Sequence, residues 1–396
     1  MHNTTFEVGD VFKIGFSKYC EEYGPLPKEH YKVANAIMSC HTAALGGHVY
    51  SCDSCGQDLV SYNSCRNRHC PSCQGAARTQ WVEKRIEELL PVPYFHVVFT
   101  IPSQLNPFIL RNKELCYALL FKATSETLLE LAKDPKHLGA MSGFICVLHT
   151  WGQNLLDHPH LHCIVPNGGL CGDQWLDGKN KDFLFPVDVV SSLFRGKFMA
   201  YFKEVLLSGA LLLHGELQLY KNSKDQQAII DQCYTVDWNV YLEPPFGSPV
   251  QVVKYIGRYT HRVAISNNRI VSITDTQVTF RWKDYEDKSR TKILTLTHSE
   301  FIRRFLLHVL PKGFVRIRHY GFLGSRIRKQ SLQFCRDQLC SSDEVNRHET
   351  NNCEPLESVP AETKTGFTCP YCGNGSMQKQ KELLSTIQKE FIRTAA

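Results

Sequence analysis

One order of secondary-structure signals restricts the fold of this chain more than any other feature. Four short apolar runs rich in β-branched and aromatic residues predict strands, at 94–101, 143–150, 160–166 and 238–243. Two longer amphipathic segments predict helices, at 112–133 and 188–208. This βαββαβ order predicts an α+β, ferredoxin-like domain in which two helices back one antiparallel sheet. We expect the third strand to lie in the middle of that sheet.

The third strand carries histidines at alternate positions, in the segment DHPHLHCIVP. Alternation places His158, His160 and His162 nominally on one face. Pro159 removes a ladder donor and restrains the residue before it, so we expect regular pairing to begin after it. His160 and His162 should then project together, with Cα atoms about 7 Å apart. Two imidazoles on either side of an apolar residue in a central strand indicate a metal site.

Two imidazoles leave a metal shell incomplete. The candidates for a third ligand are His149, Gln153 and His158, of which Gln153 is preferred. A nitrogen-and-oxygen shell with open positions favours Mg²⁺ or Mn²⁺ bridging a phosphate over a closed zinc site. The alternative is that these histidines are hydrogen-bonded core residues, the commoner role of a single histidine in a sheet.

The segment SPVQVVKYIGRYTHR predicts a helix that would supply the reacting groups. Ser248 is suited to the N-cap and Pro249 to the first helical position. Tyr255 and Tyr259 then lie one turn apart on an apolar face, with Cβ atoms about 5–6 Å apart. A tyrosine hydroxyl is a weak nucleophile at neutral pH, and a metal that polarises a phosphate compensates for this. Two tyrosines at this spacing also occur as ordinary core residues, and the neighbouring histidine strand favours the catalytic interpretation.

Two C-x-x-C pairs lie fourteen residues apart, Cys52 with Cys55 and Cys70 with Cys73. Four thiolates at this spacing can hold one Zn²⁺ in place of an apolar core, and four protein ligands predict a structural site. Seventeen cysteines in a chain without an export signal favour metal binding over disulfides. Nearby side chains could replace a cysteine or help to hold a second ion: Cys40, His41, His48, Cys65 and His69.

Residues 301–330 contain eight basic residues interleaved with aromatic ones and no Asp or Glu. Arginine with aromatic residues suits a phosphate backbone and splayed bases, whereas a solvated helix face usually mixes both signs of charge. We therefore expect nucleic acid to bind this segment, through Arg303, Arg304, Arg316, Arg318, Arg326 and Arg328.

The predicted division of the chain has three parts. Residues 1–93 form a zinc-binding, DNA-recognition domain that ends where Pro91 and Pro93 stop a helix, and 94–330 form the catalytic domain. Residues 331–396 form a flexible linker and a tail with Cys369-x2-Cys372, whose zinc partners stay open among Cys335, Cys340 and Cys353. No apolar run approaches the roughly 18 residues needed to span a bilayer, so we expect a cytoplasmic, nucleoid-associated protein.

Three segments together resemble the insertion-sequence ninety-one family of bacterial transposases, which are two-tyrosine members of the HUH endonuclease superfamily. They are HTWGQNLLDHPHLHCIVPNGG, YIGRYTHRVAISN and FIRRFLLHVLPKGFVRIRHYG. LGGHVYSCDSCG and NSCRNRHCPSCQG resemble the zinc-binding domain of that family, and the resemblance covers roughly residues 10–330. It implies that His160 and His162 carry the metal and that Tyr255 and Tyr259 are nucleophiles. It also implies rolling-circle transposition through single-stranded DNA, with recognition of the element's ends.

Three other interpretations stay open at this point. A plasmid replication initiator or relaxase would use the same chemistry. A non-catalytic, zinc-dependent DNA-binding regulator would keep the histidines and tyrosines only as core residues. A metallohydrolase acting on a small substrate is disfavoured by the basic segment.

Overall fold

The structure, a computed structural model, describes most of the chain. The described residues are 6–244, 248–260, 264–285, 287–346 and 367–386, without the side chains of 76–77, 258–260 and 341–346.

The N-terminal module comprises three helices and two strands. They are α1 (Val8–Tyr23), α2 (Lys28–Ser39), β1 (Gly47–Cys52), β2 (Asp58–Tyr62) and α3 (Gln74–Glu87).

The central part of the chain follows. Its elements are β3 (Tyr94–Thr100), α4 (Asn106–Arg111), α5 (Lys113–Lys133), β4 (Phe144–Trp151), β5 (Asp157–Pro166), β6 (Gly168–Cys171), β7 (Gln174–Asp177), α6 (Val187–Leu207), α7 (Ser223–Thr235), β8 (Val240–Glu243) and α8 (Pro249–Thr260).

The remaining elements close the structure. They are β9 (Ile270–Ile273), β10 (Gln277–Asp284), β11 (Arg290–Thr297), α9 (His298–Leu307), β12 (Ile317–Tyr320), α10 (Arg328–Asn346), β13 (Phe367–Thr368) and β14 (Ser376–Leu383).

The central sheet has the strand order β12-β4-β5-β3-β8, and its neighbouring strands are antiparallel. Without β12, this is the ferredoxin-like order with β5 in the interior, so the predicted fold is confirmed. The one addition is β12, which pairs with the outer edge of β4. The ladder between β3 and β5 begins at His160, directly after Pro159, as the missing proline N–H predicts.

Strand β5 is buried on both faces, and its alternation separates two cores. Leu161, Cys163 and Val165 point into the large core built with α5 and α6. Ile164, on the opposite face, packs in a second core with Val252 and other apolar residues of α8. Because successive strand residues alternate in direction, His160 and His162 lie on the α8 side of the sheet. Helix α8 begins at Pro249, where the Ser248 carbonyl accepts from the Gln251 N–H, at the position predicted from the sequence.

The N-terminal module does not pack as a separate domain, and the predicted boundary at residue 93 is corrected. Helices α1 and α2 share one core with β9, β10 and α9, in which Phe12 meets Phe305 edge-on at 5.3 Å between ring centroids. The guanidinium of Arg68 donates to the carbonyls of Pro311 and Phe314. The apolar faces of two short helices need a partner, and residues far along the chain supply it.

The prediction for residues 331–396 is also corrected. Helix α10 continues to Asn346, so the predicted linker does not begin at 331, and residues 347–366 lie outside the described part of the chain. Strand β14 pairs with β1 in a second sheet of order β13-β14-β1-β2, so the tail belongs to the N-terminal module. None of the described helices combines the length and the apolarity that a membrane crossing requires.

Helices α3 and α8 approach each other closely at Gly257. A Cβ atom built there would lie 2.2 Å from Val82 Cγ2, well inside van der Waals contact. The glycine therefore lets the N-terminal module contact the helix that carries Tyr255 and Tyr259.

We predict that Gly257→Ala lowers the free energy of unfolding by about 1–3 kcal/mol, because it overpacks this contact. Gly196 is the matched control, because it is exposed on α6 and its added Cβ would meet nothing within 4 Å. Gly196→Ala should stabilise the protein by up to about 1 kcal/mol through helix propensity. Urea denaturation followed by circular dichroism measures both changes. Equal effects of the two substitutions would show that α3 and α8 are not in close contact.

Candidate functional site

The pairing register of β4 and β5 gathers three histidines on the α8 side of the sheet. His149 lies directly opposite His160, and His162 lies opposite Val147. All three side chains are buried, and their ligand atoms lie within 4.8 Å of one another. We call His149, His160 and His162 the three-histidine group.

The structure places His149, rather than the preferred Gln153, beside the two strand histidines. An irregularity in the ladder between His149 and Trp151 ends regular pairing before Gln153 is reached. The amide Nε2 of Gln153 donates instead to the Tyr285 hydroxyl at 3.3 Å, in an exposed position. The exposed His158 side chain lies outside this group, although its ring contacts His160 with 4.9 Å between the centroids. Its carbonyl accepts from His160 Nδ1 at 2.6 Å.

Hydrogen bonds fix the tautomers of the two strand histidines. Because His160 Nδ1 donates to a carbonyl, the Nε2 atom of neutral His160 carries a lone pair. The Glu243 carboxylate accepts from His96 Nδ1 at 3.0 Å, which leaves His96 Nε2 as the acceptor for His162 Nδ1 at 2.7 Å. His162 Nε2 therefore also carries a lone pair. We call Glu243, His96 and His162 the imidazole relay.

The two Nε2 atoms of His160 and His162 face each other at 3.0 Å. Burial lowers the pKa of His160 to about 3 and holds the pKa of His162 well below its ordinary value, so both rings are neutral at physiological pH. Two facing lone pairs repel, and a divalent cation between them turns the repulsion into coordination. The group therefore fits a metal ion. Three imidazole nitrogens are a softer set than the predicted mixed shell and favour Mn²⁺ over Mg²⁺.

Helix α8 brings Tyr255 beside the imidazole relay. The half-buried Tyr255 ring meets the His96 ring edge-on, with 5.6 Å between the ring centroids. The His96 and His162 rings lie nearly in parallel planes with 5.0 Å between their centroids, joined by the 2.7 Å hydrogen bond. Tyr259 follows one turn later on the same helix, and its side chain lies outside the described part of the structure. The predicted tyrosine helix and histidine strand thus meet on one face of the sheet.

Sequence reasoning did not find His96 and Glu243. His96 is the polar residue in the apolar β3 segment YFHVVFT, and Glu243 ends β8. The sequence signal that could have identified His96 is that it is a polar residue inside an apolar strand. Its partner could be identified only once the order of β3, β5 and β8 was known.

The predicted zinc site of Cys52, Cys55, Cys70 and Cys73 is corrected, because the structure separates its two pairs. Cys70 and Cys73 lie with Cys40 and Cys65, and we call these four the N-terminal cysteine site. Cys73 Sγ lies 3.4 Å from Cys40 Sγ and 3.5 Å from Cys65 Sγ. Cys52 and Cys55 lie instead with Cys369 and Cys372, which we call the split cysteine site. The physical reason is that β1 and β2 carry the first pair away from the second.

His69, considered above as a zinc ligand, belongs to the packing between the module and the catalytic core. Its Nε2 atom accepts from the Leu310 N–H at 3.2 Å, and its ring also contacts Asn67. The cysteines suggested by the sequence, Cys40 and Cys65, are the ones that join the N-terminal cysteine site.

Most of the arginines predicted to contact nucleic acid are engaged within the protein. Arg303 and Arg304 both pair with the Glu300 carboxylate at 2.6 Å. The guanidinium of Arg318 stacks over the Phe121 ring at 4.1 Å, and Arg328 lies 3.6 Å from Glu88. Burial lowers the pKa of Arg316 to about 10. Of the six predicted arginines, Arg326 is the one with an exposed side chain.

Comparisons with known proteins find two family matches within the chain. Residues 143–331 match the family described as "Putative transposase", and residues 11–101 match the "Transposase zinc-binding domain". The chain is 51% identical over 374 residues to "Putative transposase y4qJ" of Sinorhizobium fredii, across 94% of each chain. It is 29% identical over 317 residues to "Transposase for insertion sequence element IS801" of Pseudomonas savastanoi pv. phaseolicola, across 78% of this chain and 74% of the relative. No solved structure matches the chain at a significant level.

The two matched regions contain most of the site. The first holds the three-histidine group and α8, and the second holds the N-terminal cysteine site. Cys369 and Cys372 of the split cysteine site fall outside both regions.

We predict that His149→Ala weakens Mn²⁺ binding at least about tenfold, because it removes one of three nitrogen ligands. Gln153→Ala, the matched control, should leave the affinity unchanged. Titration of the zinc-loaded protein with Mn²⁺, followed by electron paramagnetic resonance of the free ion, measures both. If the Gln153 variant weakens binding and the His149 variant does not, the assignment of the third ligand is wrong.

Proposed function

The chain belongs to the insertion-sequence ninety-one family of transposases, and from this membership and the site we propose that it nicks and rejoins single-stranded DNA through 5′-phosphotyrosine intermediates. The observation that carries this proposal is the meeting of a three-imidazole group and Tyr255 on one face of the central sheet. The element that it moves would then transpose by a rolling-circle route.

We assign the cation to His149, His160 and His162. These residues would hold a divalent cation, which when bound would polarise the scissile phosphate and stabilise the charge on the departing oxygen. The imidazole relay keeps His162 Nε2 in its unprotonated form, because the Glu243 carboxylate can only accept from His96.

Tyr255 and Tyr259 are the proposed nucleophiles. The phenolic oxygen attacks phosphorus, a Tyr–O–P bond forms, and the bond to the 3′-oxygen of the preceding nucleotide breaks. The phenol loses one proton and the released 3′-oxygen gains one, so protons and electrons balance without an additional reactant. The new phosphodiester to tyrosine keeps the energy of the broken bond, and attack by a 3′-hydroxyl reverses the step.

Two tyrosines on one helix can hold two strand ends in succession, which is what strand transfer requires and simple cutting does not. Helix α8 carries both residues, and its close contact with α3 at Gly257 ties their position to the N-terminal module. We propose that this module recognises the ends of the element and that the N-terminal cysteine site holds a structural Zn²⁺. Arg326 is then the exposed member of the basic segment that can reach the DNA backbone.

The test is a covalent adduct between the protein and a single-stranded oligonucleotide from an element end, formed with Mn²⁺ and resolved on an SDS gel. We predict an adduct for the wild type and none for the double variant Tyr255→Phe with Tyr259→Phe. Tyr234→Phe is the matched control, because Tyr234 is an exposed tyrosine on α7, and it should form the adduct normally.

His160→Ala separates binding from chemistry in the same assay. It should retain affinity for the oligonucleotide, because no basic surface is lost, and form at least about a hundredfold less adduct. An adduct that persists in the double tyrosine variant would contradict the proposal. Cleavage by the wild type without any adduct would also contradict it and would favour a metallohydrolase.

A further inference from the structure

The split cysteine site joins residues from the two ends of the chain. The segments CDSCG, from Cys52 to Gly56, and CPYCG, from Cys369 to Gly373, have the same backbone form. Each ends in a glycine with positive φ, 68° at Gly56 and 70° at Gly373. The N–H of each glycine donates to the carbonyl of the first cysteine of its segment, at 3.1 Å and 3.0 Å. Two matching loops thus face each other.

Each loop also directs backbone donors at sulfur. The N–H groups of Ser54 and Cys55 lie 3.4 Å from Cys52 Sγ, and the N–H of Gly375 lies 3.4 Å from Cys372 Sγ. Hydrogen bonds of this kind stabilise a thiolate over a thiol. They therefore favour binding of a cation by these sulfur atoms over burial of neutral thiols.

The sulfur positions match a tetrahedral metal and do not match disulfides. Cys52 Sγ lies 3.8 Å from Cys372 Sγ, and Cys55 Sγ lies 3.7 Å from Cys369 Sγ. A zinc–sulfur bond of about 2.3 Å places the sulfur atoms of a tetrahedral site about 3.8 Å apart. A disulfide would need about 2.05 Å. We propose that Cys52, Cys55, Cys369 and Cys372 bind a structural Zn²⁺ that fastens the C-terminal strand β14 to the N-terminal module.

The segment needs such a link because its apolar core is very small. The buried apolar residues between the two loops are Cys52, Cys369 and Met377, and most of β14 is exposed. Cys55 and Cys369 are 314 residues apart in the sequence, so no local chain connection holds the two loops together. A structural Zn²⁺ supplies binding energy that these few apolar contacts do not.

The same ion would determine which strand lies beside β1 in the second sheet. With the link formed, β14 pairs along β1 from Gly47 to Cys52. Without it, β1 would present an open edge next to β2, and the tail would leave the module. The zinc content of the chain is therefore one ion higher than the N-terminal cysteine site alone would give.

Thiol alkylation of the native, zinc-loaded wild type tests this site without any variant. Cys55 is exposed, as are Cys171 and Cys340, so its accessibility alone predicts equally fast modification. If zinc is bound, Cys55 and Cys372 should resist iodoacetamide, as read by peptide mass spectrometry, and should react only after a chelator is added. Cys171 and Cys340 should react at once in both conditions. Modification of Cys55 as fast as Cys340 before chelation would overturn the proposal.

Metal analysis provides the second test. Cys369→Ser with Cys372→Ser should contain one zinc ion fewer per chain than the wild type. The matched control, Cys171→Ser with Cys340→Ser, should keep the full amount. Both measurements use protein without added oligonucleotide, so their outcome is independent of the nicking chemistry. An unchanged zinc content in the Cys369 and Cys372 variant would contradict the split site.

Discussion

The candidate active site depends on the register between β4 and β5. This register places His149 opposite His160 and keeps His162 on the same face of the sheet. A slip of one residue would turn His160 and His162 into the apolar core that Leu161 and Cys163 now occupy. Because β5 is buried on both faces, such a slip would be costly, and the register is strongly specified.

The other parts of the site lie on that same face of the sheet. Burial keeps the imidazoles neutral, and the Glu243 carboxylate, acting through His96, determines which nitrogen of His162 stays unprotonated. Helix α8 covers the same face and brings Tyr255 against His96. Gly257 then allows α3 to contact α8. The N-terminal module therefore packs directly against the helix that carries the two tyrosines, through the contact between α3 and α8.

The sequence predicted the features that depend on residues close together in the chain. Apolar periodicity located the strands and helices of the central sheet, and Ser248 with Pro249 located the start of α8. It did not predict which residues far apart in the chain would contact each other. The ladder irregularity after His149 ends regular pairing before Gln153, and the local sequence gives no sign of it. Glu300, which pairs with Arg303 and Arg304, lies one residue outside the segment whose charge was considered. The partners of Cys52 and Cys55 lie more than 300 residues away, in a turn that precedes a polar strand with no apolar alternation.

The most direct test is the location of Mn²⁺ in crystals of the zinc-loaded protein, from anomalous diffraction at the manganese edge. The register between β4 and β5 predicts a manganese peak at coordination distance from the Nε2 atoms of His160 and His162 and from one ring nitrogen of His149. It also predicts His96 between His162 and Glu243, with no direct contact to the ion. A manganese ion bound through Gln153 instead of His149, or bound away from β5, would contradict the account.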